Sequence, residues 1–240
     1  MHAHGSDGAH HHDDGDDSTP RVMRHAHAHH VTNVATQRAT SFAEVDRMEQ
    51  LFEAPERLAH MQFDRLIDQV IRPLLLSHSE PAVIADVGAG TGALTIPLAK
   101  ALPAAKVFAT DAEPAMVVRL TTKTQSLSNV QVVQAAMHQP ASLPVKADVV
   151  VMAAVYHHIA DRVNYLHALR RDVLRADGSA SVVIVEYFPG DHGLAGPPDW
   201  MRVAPELVAS EFVACGFTER LPRPEGWGPA IYVQVFQACG

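Results

Sequence analysis

The most constraining feature of this sequence is a glycine-rich turn at residues 83–92 (VIADVGAGTG). The β-branched run from Val83 to Val87 predicts a buried strand, and three glycines follow it at alternate positions. Because glycine has no Cβ, it lets a chain turn tightly or approach a ligand closely. A helical pattern at residues 93–100 comes next. A strand, a turn and a helix N-terminus in this order predict free backbone N–H groups that face a bound molecule.

The spacing of the glycines distinguishes between two classes of ligand. A dinucleotide fingerprint has the pattern Gly-x-Gly-x-x-Gly around a pyrophosphate. This chain has Gly88-x-Gly90-x-Gly92, with Asp86 at the end of the strand. The block resembles motif I of the class I S-adenosylmethionine (SAM) methyltransferases, whose ligand carries an amino acid and no phosphate. A purely structural glycine turn in another α/β protein is the alternative interpretation.

Strand and helix patterns alternate after the glycine turn. Strands are predicted at residues 106–110, 130–133, 147–154 and 179–187, and helices at 113–120 and from 163 to the turn at 177–178. This alternation indicates an α/β protein with parallel strands and right-handed crossovers. A helix at 206–215 and a strand at 230–236 follow. The resemblance implies a Rossmann-like, doubly wound, mostly parallel seven-stranded sheet with helices on both faces, plus N-terminal helices.

The region ahead of the first strand is predicted to be helical. A capping box of Ser41 and Glu44 begins it, and Pro55 interrupts it before a longer helix. That helix has an apolar face, because apolar residues recur at three- and four-residue spacings: Phe63, Leu66, Ile67, Val70, Ile71 and Leu74. The resemblance implies that such helices close over the cofactor. We therefore divide the chain into a tail (1–40), a helical cap (41–80) and a SAM-dependent methyltransferase domain (81–240).

The tail of residues 1–40 has the composition of a disordered segment. It holds nine of the 16 histidines and an acidic patch, with almost no large apolar residues. Alternation such as His25-x-His27-x-His29 can chelate a divalent metal, because neutral imidazoles are common ligands. A solvated arm whose metal affinity is incidental is the interpretation we favour. No residue outside the tail is predicted to bind a metal.

Composition limits the partners and the compartment. With Lys+Arg 19 against Asp+Glu 27 the formal charge is -8, which weighs against nucleic acid or an anionic membrane as the main partner. No run approaches the ~18 apolar residues of a membrane span, and the N-terminus lacks the pattern of a signal peptide. The two cysteines are too few for a disulfide framework. We expect a soluble, cytoplasmic protein.

The resemblance extends over residues 42–236 and is to small methyltransferases of the type 11, or ubiquinone/menaquinone-like, group. Besides motif I, the matching segments are residues 52–57, 148–151, 155–158 and 214–217. The family often has an acidic residue beside the adenine after the third strand, where this chain has Ala135, Ala136 and Met137. The Asn/Asp-Pro-Pro-Tyr motif of enzymes that methylate adenine or glutamine is absent after the fourth strand. A small-molecule acceptor is therefore expected.

The cofactor is expected to lie at the ends of the predicted strands. Asp111 comes 25 positions after Asp86, where an acid can accept hydrogen bonds from both ribose hydroxyls. It could instead cap the next helix. The resemblance implies SAM contacts from Asp86, Gly88, Ala89, Gly90, Gly92, Asp111, Ala112, Ala136, Met137 and Ala153.

Three residues after the fourth strand are the candidates for catalysis: Tyr156, His157 and His158. A histidine with a pKa near ~6.5 could accept a proton from the acceptor at neutral pH. Either histidine could instead cap the following helix or pack beneath the cofactor, and we expect one to be functional and the other structural. Glu186 and Tyr187, at the end of the fifth strand, are further candidates, because ligands bind at the carboxyl ends of such strands.

The sequence thus favours a SAM-dependent methyltransferase that acts on a small molecule by in-line displacement. Catalysis could rest on positioning, with a base only if the acceptor arrives protonated. A non-catalytic SAM-binding module, or a metal-responsive regulator of the same fold that uses the tail, is the alternative. A nicotinamide dehydrogenase is disfavoured by the glycine spacing.

Overall fold

The computed structural model describes residues 41–76, 78, 81–190, 192, 196–221 and 223–239. Residues 1–40 lie outside this part, so the interpretation of the tail stays a prediction. None of the described helices is long and apolar enough to cross a membrane.

Seven strands form a single sheet in the order β3-β2-β1-β4-β5-β7-β6. The first five are parallel, and β7 runs antiparallel to both β5 and β6. This sheet confirms the predicted doubly wound, mostly parallel fold. The chain order reverses between β1 and β4, which opens a crevice at the carboxyl ends of these strands. The strands are β1 (Val83–Val87), β2 (Lys106–Asp111), β3 (Val130–Gln134), β4 (Val149–Ala153), β5 (Ser181–Tyr187), β6 (Phe217–Glu219) and β7 (Ile231–Ala238).

Helices cover both faces of the sheet. Alternate strand residues point to opposite faces, and each face has its own apolar core. One core includes α3, α4 and α5, and the other includes α7 and α8. The helices are α1 (Phe42–Phe52), α2 (Pro55–Met61), α3 (Phe63–Leu66), α4 (Arg72–Leu75), α5 (Thr95–Ala101), α6 (Pro114–Thr124), α7 (Arg162–Ala168) and α8 (Pro205–Ala214).

The single long helix predicted after Pro55 is divided in the structure. Gln62, with φ 48°, separates α2 from α3, and a π-helical turn at Ile67–Ile71 joins α3 to α4. Pro73 has no N–H to donate, and the turn ahead of it lets Arg72 donate to the Ile67 carbonyl instead. All six residues of the predicted apolar face are buried. The pattern therefore predicted the buried face but not the breaks in the helix. The predicted capping box of Ser41 and Glu44 is present.

Strand β4 is shorter than the 147–154 segment predicted for it. It ends at Ala153 because Ala154 has φ 57°, a left-handed conformation that cannot continue a strand. Likewise β5 begins at Ser181, after the turn at Asp177 and Gly178. The reversal at Ala154 directs the following residues back across the carboxyl edge of the sheet.

Candidate active site

The glycine turn lies at the carboxyl end of β1, in the crevice of the sheet. Gly88, Gly90 and Gly92 have φ values of 66°, 55° and 91°, all left-handed. A Cβ on Gly88 would lie 2.4 Å from Val155 Cγ2, so the segment after β4 packs directly on the turn. The glycines are therefore required by the backbone conformation and, at Gly88, by packing.

The N–H groups of this turn are used within the protein. Ala89 donates to the Thr110 carbonyl (2.9 Å), Gly90 to Asp111 Oδ2 (2.8 Å), and Gly92 to the Ala89 carbonyl (2.9 Å). The predicted row of free N–H groups is therefore wrong for these three residues. Fewer donors and a nearby carboxylate make the turn better suited to a cationic group than to a phosphate.

Asp111 ends β2, but Glu113, not Asp111, is the N-cap of α6. The ribose-binding role of Asp111 stays a prediction. Asp111 Oδ1 accepts a 2.9 Å hydrogen bond from the N–H of Glu113, while Oδ2 accepts from Gly90. Each oxygen retains a further lone pair for a ligand hydroxyl. Burial, the largest effect, raises the pKa of Asp111 above its ordinary value.

Asp86 is the last residue but one of β1, lies near Asp111, and is 2% exposed. The Thr95 hydroxyl, on the first residue of α5, donates a 2.6 Å hydrogen bond to Asp86 Oδ2. Burial raises the pKa of Asp86 to about 7, and the Asp111 charge contributes in the same direction. Sequence reasoning missed Thr95, which carries no motif of its own.

The other predicted cofactor residues follow the ends of β2, β3 and β4. Ala112 and Ala153 are half-buried, whereas Ala136 and Met137 are exposed. All four have side chains that offer no hydrogen bond. They lie at the same edge of the sheet as Asp86 and Asp111, but no contact between them defines an adenine pocket. Their role in adenine binding stays a prediction.

His157 and Glu186 form a buried pair at the carboxyl ends of β4 and β5. His157 Nδ1 lies 2.9 Å from each carboxylate oxygen of Glu186, and the His157 backbone N–H also donates to Oε1 at 3.3 Å. The His157 side chain is 2% exposed and that of Glu186 is fully buried. Glu186 therefore fixes the orientation of the imidazole, with Nδ1 as the nitrogen that it engages.

His158 differs from its neighbour in exposure and in charge. The residue is exposed, and its ring centroid lies 4.1 Å from that of His157. Partial burial of the ring, followed by the charge of His157, lowers the pKa of His158 to about 4. His158 is therefore neutral at neutral pH, and a weaker base than an ordinary histidine.

Tyr156 points into the core rather than toward the crevice. It is fully buried, and its hydroxyl donates a 2.7 Å hydrogen bond to Glu211 Oε2 on α8. Arg162 also binds Glu211, through Nε and Nη2, and its guanidinium lies 5.6 Å from the centre of the Tyr156 ring. Of the three residues predicted for catalysis, Tyr156 is the one that the structure places away from the sheet edge.

The segment from α1 to α2, which we call the cap segment, covers the glycine turn. The Phe52 ring would lie 3.4 Å from a Cβ on Gly90, and Thr91 donates a 2.7 Å hydrogen bond to Glu53 Oε1. Lys123, on α6, donates to both Glu49 and Glu53. Sequence reasoning did not predict these contacts, because the partners are up to 74 positions apart.

Comparison with known proteins agrees with this geometry. Residues 85–180 match a family model described as a methyltransferase domain. This part of the chain is therefore similar to the methyltransferase domain family. The match includes the glycine turn, β2 to β4 and the two histidines. No curated protein matches the chain.

Many solved structures share the fold. A SAM-dependent methyltransferase from Aquifex aeolicus is 19% identical, with a TM-score of 0.67, over 83% of this chain and 99% of the other. The magnesium protoporphyrin IX methyltransferase ChlM of Synechocystis PCC 6803, with bound S-adenosylhomocysteine (SAH), is 17% identical, with a TM-score of 0.61, over 82% and 95%. The [4+2]-cyclase SpnF is 15% identical, with a TM-score of 0.57, over 73% and 80%. At these identities the likeness shows the fold alone.

The residues at the glycine turn fit SAM, the cofactor expected from the sequence. SAM carries a sulfonium and an ammonium group. The crevice offers the carboxylates of Asp86 and Asp111, and the N–H groups of Ala89, Gly90 and Gly92 already donate within the protein. A pyrophosphate would meet Asp86 and Asp111 as like charges. The geometry therefore agrees with the glycine spacing in favouring SAM over a dinucleotide.

Proposed function

We propose that this protein transfers a methyl group from SAM to a small-molecule acceptor by in-line displacement, with His157 as the general base and Glu186 as the residue that orients it. The observation that carries the proposal is the 2.9 Å contact of His157 Nδ1 with both oxygens of Glu186. A base held in one tautomer by a buried carboxylate is a recurrent catalytic arrangement. Here it lies at the sheet edge that also holds the glycine turn.

The protein residues have separate tasks in this reaction. Gly90, Asp86 and Asp111 would hold the cofactor, which supplies an activated methyl group when bound. The acceptor atom forms its bond to the methyl carbon as the carbon–sulfur bond breaks, and the electron pair of that bond remains on sulfur. With Nδ1 engaged by Glu186, His157 Nε2 takes the acceptor's proton. The acceptor class is therefore one with a removable proton on oxygen, nitrogen, sulfur or an activated carbon.

His158 and Tyr156 have other roles in this proposal. His158 is exposed beside the His157 ring and can contact the acceptor without accepting its proton, because its lowered pKa makes it a weak base. Tyr156 anchors the turn from below through Glu211. This assignment keeps the expectation that one of the two adjacent histidines acts as the base, but it gives the other a contact with the acceptor where a structural role was expected.

The test compares His157→Gln with His158→Gln on an acceptor found by screening phenols, enols, amines and thiols with SAM. We expect His157→Gln to lower turnover by about 10²–10⁴-fold with little change in SAM affinity. His158→Gln should change the KM for the acceptor more than turnover. Equal turnover in all three proteins would reject the general base. SAM binding with no methylation of any acceptor would favour a non-catalytic SAM-binding module.

The proposals for the histidine-rich tail and for the compartment are independent of the catalytic mechanism. We propose that residues 1–40 bind a divalent metal such as zinc only incidentally, and that the enzyme works in the cytoplasm with Cys215 and Cys239 unpaired. Deletion of the tail should remove zinc binding, which in the full chain weakens below about pH 6 as imidazoles protonate. A loss of SAM affinity in the deletion variant would contradict the incidental role.

A further inference from the structure

Two acidic side chains flank the glycine turn at the ends of neighbouring strands. Asp86 is opposite Ala109 in the β1–β2 register, and Asp111 lies two residues beyond Ala109 on β2. Asp86 is almost completely buried. Their charges repel, which contributes to the raised pKa of Asp86. A buried acid pair of this kind is unfavourable in its fully ionised form.

The groups packed around this pair do not neutralise it. Thr95 of α5 donates to Asp86, and on the β4 side Asp86 is opposite the apolar Val151. Around Asp111 are the N–H groups of Gly90 and Glu113, and the Glu113 carboxylate adds negative charge. Within the described part of the chain, neither aspartate forms an ion pair with a lysine, arginine or histidine.

Two cations of α6 are engaged by acids of α1 and by Glu53. Lys123 binds Glu49 and Glu53, and Arg119 binds Glu49 and Asp46. Glu53 reaches the turn only as the acceptor for Thr91. Among the described residues, the crevice thus contains acids that no cation compensates, so we expect the positive charge to come from a ligand or from protons.

We propose that Asp86 couples cofactor binding to proton release, so that the site selects the positively charged sulfonium of SAM over the neutral thioether of SAH. This inference rests on the proposed cofactor, but not on catalysis. A positive charge in the crevice stabilises the ionised form of the acid pair, and an acid that is partly protonated when the site is empty then loses its proton on binding. The raised pKa of Asp86 places this exchange near neutral pH.

The coupling gives SAM and SAH different pH profiles. SAM affinity should rise with pH up to the range where Asp86 is ionised, by at most about tenfold per pH unit for one released proton. SAH keeps the ammonium and carboxylate of SAM but lacks the sulfonium charge, so its affinity should rise less steeply. The enzyme would accordingly release its product more readily than its substrate at the higher pH values.

Calorimetric titration of the full chain with SAM and with SAH tests this proposal. Titrations from about pH 5.5 to about pH 7.5 limit the contribution of the ligand's own α-amino group. Repeating them in buffers of different ionisation enthalpy counts the protons released. We expect a fraction of a proton released per SAM near neutral pH, less per SAH, and a SAM-to-SAH affinity ratio that grows with pH.

Three variants separate Asp86 from other titrating groups. Asp86→Asn keeps an oxygen acceptor for Thr95, and should bind SAM more weakly and lose the pH dependence. Thr95→Val removes the hydrogen bond that favours the ionised form, so it should shift the rise in SAM affinity to higher pH. Thr124→Val is the matched control, because this buried threonine donates instead to the Leu120 carbonyl within α6.

The outcomes are distinct. Equal pH profiles for wild type and Asp86→Asn, or equal profiles for SAM and SAH, would overturn the coupling while SAM binding itself is retained. Failure of the wild-type protein to bind SAM at any pH would overturn the proposed cofactor as well. Melting curves identify any variant that does not fold, and Thr95→Val alone still decides the question, because it leaves both carboxylates in place.

Discussion

The Tyr156 hydroxyl donates a 2.7 Å hydrogen bond to Glu211 Oε2, which joins the turn after β4 to the middle of α8. Arg162 binds the same carboxylate, so one acid receives two donors from one short segment of chain. The neighbouring residue, His157, is held from the other side by Glu186. The turn that presents the proposed base is therefore fixed at two consecutive residues.

Tyr156→Phe should weaken this anchor without changing the cofactor site. Glu211 keeps Arg162 as a partner, so the loss is one buried hydrogen bond, about 1–2 kcal/mol in the free energy of unfolding. Urea denaturation measures the loss, and calorimetry should show unchanged SAM affinity. Tyr165→Phe, at a buried tyrosine on α7, is a comparison variant. A stable Tyr156→Phe protein that binds SAM but does not methylate its acceptor would place Tyr156 in the chemistry instead.

Alanine at Gly90 and at Gly88 should have different consequences. At Gly90 the new Cβ would be 3.4 Å from Phe52 Cε2, an ordinary contact, so the folding cost is the left-handed backbone alone, about 1–2 kcal/mol. SAM affinity should nevertheless fall by at least about tenfold, because the backbone is expected to approach the ligand there. Unchanged affinity in calorimetry would argue against the turn as the cofactor site.

At Gly88, by contrast, alanine should destabilise the fold itself. A Cβ there would be 2.4 Å from Val155 Cγ2, so Gly88→Ala should cost about 2–4 kcal/mol in the free energy of unfolding. The double variant with Val155→Ala should recover part of that loss, since it removes the clashing methyl groups. Additive losses in the double variant would show that Val155 does not pack on the turn.

Ala154 and Ala153 are adjacent alanines for which a change to glycine should have opposite effects. Ala154 has φ 57°, so glycine relieves strain there, and we expect a gain of up to about 1 kcal/mol after the added entropy of the unfolded chain. Ala153 is the last residue of β4, and glycine there should cost about 0.5–1 kcal/mol. Urea denaturation of both variants makes the comparison. Equal destabilisation would mean that Ala154 is not strained in solution.

Much of the fold could be predicted from the sequence because its signals are local. The β-branched runs, the glycine turn and the aspartates near the carboxyl ends of β1 and β2 all lie within a few residues of the elements that they define. Six of the seven strands were accordingly predicted to within two residues at each end, whereas β6 was given no range. Breaks such as those at Gln62 and Ala154 were not predicted, because neither residue is one that usually adopts a left-handed conformation.

The candidate site was predicted as a set of residues but not as a set of contacts. Glu186 was proposed as a candidate from its place at the end of a strand, yet its pairing with His157 depends on the neighbouring positions of β4 and β5. Tyr156 has the same local signal as its histidine neighbours, and only α8 shows that it faces the core. The bonding of the turn's N–H groups likewise depends on β2, which comes later in the chain.

Lys123→Met should loosen the cap segment over the glycine turn. Lys123 donates to Glu49 at 2.6 Å and also to Glu53, the acceptor for Thr91. These side chains are 21–33% exposed, so the cost in the free energy of unfolding should stay below about 1 kcal/mol. Hydrogen exchange in α1 and the dissociation rate of SAM should both increase.

The control for this prediction is a cation remote from the turn. Arg72→Met removes an exposed pair with Asp68 on the neighbouring helical turn, and it should leave hydrogen exchange in α1 unchanged. High salt should bring the wild-type dissociation rate toward that of Lys123→Met, because it screens the ion pairs. A SAM dissociation rate that changes neither with salt nor in Lys123→Met would mean that the cap segment does not control the release of SAM.

Asp86→Asn should stabilise the protein at neutral and alkaline pH in the absence of SAM. The pKa of Asp86 is raised from 3.8 to about 7 in the folded state, so between these values the folded protein binds more protons than the unfolded chain. Stability therefore falls as pH rises through this window, by up to about 4 kcal/mol for a shift of this size. Asparagine carries no charge to bury, so the variant avoids that loss and retains an acceptor for Thr95.

The measurement is the free energy of unfolding by urea between about pH 4 and about pH 8, for wild type and Asp86→Asn. The two proteins should be similar near pH 4, where Asp86 is protonated, and should diverge as the pH rises. Because the same substitution is expected to weaken SAM binding, stability and affinity would change in opposite directions, which is typical of a site that retains a buried charge for its ligand. Parallel pH profiles would show that Asp86 is ionised without cost in the folded protein.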